Sequence, residues 1–98
     1  MWISITCAFL AGVFGANGVP HFVRGITRET YPCLFGNSSI PNVIAGWLSL
    51  IVAIALACAT DWSQNPILTF IAAAFGALVM ALFHASGLAI GRASDRLR

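Results

Sequence analysis

Lysine is absent from this chain, and charge of either sign is scarce. Of its 98 residues, 8% are charged and 59% are hydrophobic. A soluble domain of this size needs a polar surface larger than its core, and these residues cannot build one. The net charge of +2 forms no basic stripe, which excludes nucleic acid as a partner. The three cysteines, Cys7, Cys33 and Cys58, are odd in number and not spaced as metal ligands, so they make neither a disulfide framework nor a zinc site. Cys7 and Cys58 lie in apolar stretches and read as small packing residues. Cys33 has no base held beside it by spacing, so no catalytic thiol is expected. No carboxylate lies inside an apolar stretch, which removes the usual proton relay or cation site. There is no internal repeat, and no catalytic motif stands above background.

What is present is three apolar stretches. About 20 apolar residues cross a bilayer, with a range of roughly 17 to 25. The first predicted span covers residues 2–18, and Asn17-Gly18 followed by Pro20 are its expected end. The second covers 40–60, with Pro41 in its first turn and Ser39 or Ile40 as its cap. The third covers 66–90, with Asn65 as the cap and Pro66 at the first helical position. Residues 61–65 form a tight turn that predicts an antiparallel hairpin of the second and third helices. The opening stretch lacks a positive amino-terminal region and reads as a retained helix rather than a leader.

All five basic residues lie on one side of these spans. Arg24 and Arg28 follow the first, and Arg92, Arg96 and Arg98 follow the third. The positive-inside rule then places the amino terminus outside and the carboxyl terminus in the cytoplasm of a cell inner membrane. Trp2 and Trp62 fall where an outer aromatic belt belongs. The expected fold is a single all-α integral membrane domain over residues 1–98, with an interfacial loop at 19–39 and a cytoplasmic tail at 91–98. The loop is too aromatic to stay in water and too polar to span, so it is expected to be ordered at the cytoplasmic interface.

Small residues recur every four positions in two spans. Ala8, Gly12 and Ala16, with Ala11 and Gly15, mark faces of the first; Ala73, Ala77, Ala81 and Ala85 mark one of the third. Such faces let backbones approach closely in lipid. Because three helices bury little among themselves, association is expected, either with copies of the chain or with subunits of a larger membrane complex.

His21 and His84 are the histidines of the chain. His84 follows Pro66 by eighteen residues, a rise of roughly 27 Å, which brings it to the depth of His21 near the inner boundary. Two histidines at one depth can hold a haem, a metal or a quinone head group; alternatively each bonds a loop carbonyl and fixes the loop. Asn17 and Asn42 flank the same loop and either clamp backbone or touch a ligand. Arg24 and Arg28 face phosphate head groups, and Arg28 and Glu29 alternatively pair with loop or subunit partners. Trp47, two turns into the second helix, either packs against the loop or stacks on a cofactor. The ligand-binding set is therefore His21, His84, Asn17, Asn42, Trp47 and Arg24, and the packing set Gly12, Ala8, Gly15, Ala73 and Ala77. No catalytic residue and no metal site is assigned, and the cofactor is left open. The expected role is an accessory subunit of a membrane assembly, with a homo-oligomeric solute channel and a haem or quinone electron carrier as alternatives.

One run has a further reading. Asn17-Gly18-Val19-Pro20-His21-Phe22-Val23-Arg24-Gly25, with Tyr31-Pro32, Phe35-Gly36, Ser38-Ser39 and Asn42-Val43, resembles a family of small bacterial membrane proteins. Their pattern is N-G-x-P-H-F-x-x-G, then an aromatic-proline pair, a Ser-Ser pair and N-V-x-x-G. The likeness covers residues 17–47. It departs at Leu34, where the family has a second proline, and at Ile40, which breaks the Ser-Ser-Pro order. The resemblance implies that the loop is the defining feature, and it implies no reaction.

Overall fold

The computed structural model describes residues 1–86, and these are all-helical. Helix α1 is Trp2–Ile26, α2 is Ser39–Ala59 and α3 is Pro66–Ser86. At 1.5 Å per residue these are about 37, 31 and 31 Å long, against a hydrocarbon layer of about 30 Å. All three are long and apolar enough to cross a membrane.

The burial pattern is that of a chain whose solvent is lipid. Large apolar side chains face outward: Ile3, Ile40, Ile67 and Phe70 are among the exposed ones. The interior holds Ala8, the glycines 18, 25, 46 and 76, and the polar residues Ser4, His21, Asn42, Ser49, Thr60 and Thr69. Without a hydrophobic drive between helices, close backbone approach and hydrogen bonds must hold them, and small and polar residues supply both.

The first helix runs further than its sequence suggests. It passes through Asn17-Gly18 and keeps Pro20 in its interior. Proline removes one hydrogen bond, a loss that a packed membrane helix tolerates. The extra turns are held by tertiary contact. A Cβ on Gly18 would lie 2.9 Å from the Gly46 carbonyl oxygen, and one on Gly25 would lie 2.8 Å from the Ser39 carbonyl oxygen. Backbone packing on α2 therefore overrides the local breaker. The helix ends where the Thr27 hydroxyl donates to the Val23 and Arg24 carbonyls at 2.9 and 3.1 Å and Arg28 turns left-handed at φ 63°. The connection thus shrinks from 19–39 to 27–38. The end of the third expected span, 87–90, and the tail at 91–98 lie outside the described residues.

The expected hairpin also needs correction. The turn at 60–65 does reverse the chain, and Asn65 Oδ1 accepts the Leu68 N–H at 3.3 Å as a helix cap. Yet α2 and α3 make no contact; each packs on α1 instead. A short turn fixes direction, but the small faces choose the neighbour. The α1 face carrying Gly12 meets α3 so closely that a Cβ there would clash with the Ala73 carbonyl and lie 2.8 Å from the Ala77 nitrogen. Gly76 of α3 is equally tight against the Phe9 carbonyl. Ala8 is fully buried, while Gly15 makes only ordinary contact, 3.8 Å, with Ala53 of α2. The small-residue faces expected to recruit outside partners are thus largely used within the chain. At the turn between α2 and α3, the Asp61 N–H donates to Ser4 Oγ at 2.8 Å and ties the start of α1 to the end of α2.

Candidate functional site

Because α2 and α3 flank α1 without touching, a cleft is left between them, with α1 as its floor. It has a volume of about 330 Å³. Phe14, Asn17 and His21 come from α1, Leu48, Ser49 and Val52 from α2, and Phe83 and His84 from α3. The loop segment 32–35 closes the end nearest the histidines. Most of the wall is apolar, and the polar groups gather at the loop end.

Asn42 organises that end. It is fully buried in the first turns of α2. Its Nδ2 donates to the carbonyls of Tyr31 at 2.8 Å, Asn37 at 3.1 Å and Ser38 at 2.9 Å. Its Oδ1 lies 2.7 Å from His21 Nδ1. One side chain therefore gathers the loop backbone and fastens it to α1. Further loop bonds run from Tyr31 N–H to Asn37 O and from Cys33 N–H to Asn37 Oδ1, at 2.9 and 3.1 Å.

The structure brings His21 and His84 together. Their ring centres are 5.8 Å apart with planes at 76°. Tyr31 closes the group: its ring is edge-on to His21 at 5.2 Å and nearly parallel to His84 at 6.3 Å. The Arg24 guanidinium stands 5.4 Å from the Tyr31 ring centre and pairs with Glu29 at 2.8 Å. Arg24 is thus a loop-stabilising residue here, engaged through a cation–π contact and an ion pair.

The two tautomers follow from the partners. Asn42 Nδ2 is committed to three carbonyls, so its oxygen faces His21 and must accept; His21 Nδ1 therefore carries the proton. His84 Nδ1 lies 2.9 Å from the Met80 carbonyl oxygen, which can only accept. An imidazole with its proton on Nδ1, when neutral, presents Nε2 as a lone pair.

Comparison of the chain with models of known protein families, with curated proteins and with solved structures finds no match. The site must be read from its own chemistry.

Asn17 lines the cleft and donates to Ser49 Oγ at 3.2 Å, while the Ser49 hydroxyl donates to the Phe14 carbonyl at 2.7 Å. This link staples α1 to α2 beneath the histidines. Trp47 departs from both expectations: it is 54% exposed on the outer face of α2 and forms no part of the cleft wall. Its place in the helix puts it one residue away from the Gly46 face that meets α1, so its ring points outward. Ser49 and the loop residues Pro32 to Phe35 are site residues that sequence reasoning missed. Ser49 had a signal, being a polar residue deep in an apolar span. Cys33 is buried at the cleft, with its thiol toward the Pro41 carbonyl at 4.0 Å. Among the described residues no group of three metal-ligating side chains occurs.

Proposed function

We propose that this chain is a multi-pass protein of a bacterial inner membrane, of the kind its loop motif resembles. Its amino terminus lies outside and the loop end of the bundle faces the cytoplasm. There it holds a small amphipathic molecule, drawn sideways from the bilayer into the cleft, and serves as an accessory, ligand-holding component of a membrane assembly. The observation that carries this reading is the pair of imidazoles whose Nε2 atoms have no described hydrogen-bond partner, at the end of an apolar cleft. Buried polar atoms are normally satisfied; His21 is buried, with the partly exposed His84 beside it, so an acceptor left open at His21 is costly unless something donates to it. An apolar wall with a few convergent polar groups is the usual form of a small-molecule site. The cleft wall offers no carboxylate, which favours holding a ligand over transforming it.

The orientation is supported by the arginine distribution, with Arg24 and Arg28 at the loop end. Labelling a cysteine introduced at Ser63 should occur from the periplasmic side, and labelling from the cytoplasm alone would reverse the orientation. For the ligand, the protein would be purified in mild detergent and its intact particle weighed by native mass spectrometry. A small molecule should travel with the wild type and be lost from His84→Phe, which leaves the Asn42 cluster alone. Identical adduct patterns in the two proteins would defeat the reading.

A further inference from the structure

We infer that the molecule held in the cleft carries a hydroxyl group, an alcohol or a phenol, and that this O–H donates to an Nε2 of the histidine pair. This deepens the reading of the cleft as a ligand site and rests on it.

The argument turns on what the cleft can and cannot offer. His21 Nδ1 is spent on Asn42 and His84 Nδ1 on Met80, so each ring, when neutral, leaves an acceptor. No described residue hydrogen-bonds either Nε2. His21 is 8% exposed, so little of it meets bulk water. Donors on the wall are nearly all committed. The Ser49 hydroxyl gives its proton to Phe14, the Cys33 thiol faces the Pro41 carbonyl, and Asn17 spends one N–H on Ser49. The second N–H of Asn17 remains, one helical turn along α1 from His21. A ligand that only accepts, such as a ketone, quinone or ester, would meet two lone pairs with its own. A site with buried acceptors rejects a partner lacking the donor, because its polar groups then stay unpaired.

Other classes fit less well. An anion would need a cation on the wall, and Arg24 is engaged outside it by Glu29 and Tyr31. A metal ion would need a third protein ligand, and none joins the two histidines among the described residues. The remaining wall, from Phe14, Leu48, Val52 and Phe83, suits an apolar body behind the hydroxyl.

The test uses the full-length protein in lipid nanodiscs with two probes of nearly equal shape, 4-pentylphenol and its methyl ether. The ether keeps the oxygen and the ring and loses the donor. Imidazole nitrogen-15 spectra of histidine-labelled protein give the tautomers directly and report on Nε2. Both rings should show protonated Nδ1, and an Nε2 signal should move with the phenol but not with the ether. The phenol should bind about tenfold more tightly, the scale of one buried hydrogen bond. His84→Phe should keep the weaker ether binding and reduce the preference. Equal binding of the two probes, or rings protonated at Nε2, would overturn the hydroxyl inference and leave the cleft as a ligand site. Binding of neither probe, or binding of both that His84→Phe leaves untouched, would overturn the cleft reading together with the inference.

Discussion

Replacing Asn42 with alanine should dismantle the loop while leaving the three helices in place. The side chain is fully buried and makes four hydrogen bonds to groups that are themselves inside the protein. Not all four losses weigh the same. The Asn37 carbonyl keeps the Tyr31 N–H at 2.9 Å, and the Ser38 carbonyl keeps the residue-42 N–H at 3.3 Å. The heavier losses are the His21 Nδ1–H and the bond to the Tyr31 carbonyl. An orphaned buried polar group costs about 1 to 3 kcal/mol, so two such losses give about 2 to 6 kcal/mol. The cavity left by the amide adds to this, and partial collapse of the loop relieves some of it. For a chain of this size that is a fall in midpoint of roughly 10 °C or more. Thermal unfolding in mild detergent would measure it. Limited trypsin digestion gives an independent reading, because Arg24 and Arg28 sit at the end of α1 and the start of the loop. Both bonds should resist cleavage in the wild type and yield in the variant, while the helical content by circular dichroism stays. If Asn42→Ala unfolds within about 1 kcal/mol of the wild type and its loop resists trypsin, the amide does not carry the loop.

Two glycines of the same helix should behave differently. Gly12→Ala drives a methyl into the Ala73 carbonyl and should cost about 1 to 3 kcal/mol in detergent unfolding, whereas Gly15→Ala, 3.8 Å from Ala53, should be within about 0.5 kcal/mol of the wild type. Arg28→Gly should stabilise by about 1 kcal/mol, since glycine adopts the left-handed angle at φ 63° without steric cost; an unchanged or lowered midpoint would count against this. The Asp61 carboxyl is held below its ordinary pKa, first by the Ser63 hydroxyl and then by the Ser63 N–H. Its depressed value means a contribution present above the unfolded carboxylate pKa and lost as pH falls through the folded one; carbon-13 titration should show Ser63→Ala moving Asp61 upward.

The sequence made some of this visible and hid the rest for physical reasons. Three apolar stretches, the Asn65-Pro66 start of α3 and the common depth of His21 and His84 all follow from composition and helical rise. These are local or one-dimensional quantities. Pro20 misled because its tendency to end a helix is local, while the contacts of Gly18 and Gly25 with α2 are not. The turn at 60–65 announced a reversal of direction but could not say that α2 and α3 would each choose α1. Gly12 and Gly15 look alike in a small-residue pattern, and only the crossing point of the helices separates them. Asn42 read as a backbone clamp or a ligand contact; which loop carbonyls it grips depends on where the loop folds back. Trp47 lies off the face marked by Asn42, Gly46 and Ser49, but the residue pattern alone could not say that this face would be the buried one.

The absence of contact between α2 and α3 has a mechanical consequence. With α1 as the common spine, either flanking helix can swing without dragging the other directly. Moving α3 outward would widen the cleft at His84 while the Asn42 cluster, built from α1, α2 and the loop, stayed assembled. The turn at 60–65 would act as the hinge for such a motion, and its tie from Asp61 to Ser4 would hold the pivot in place. A door of this kind needs no water-filled passage. In the proposed membrane setting it would open toward the hydrocarbon, so the route of an oily molecule into the protein would never leave the membrane.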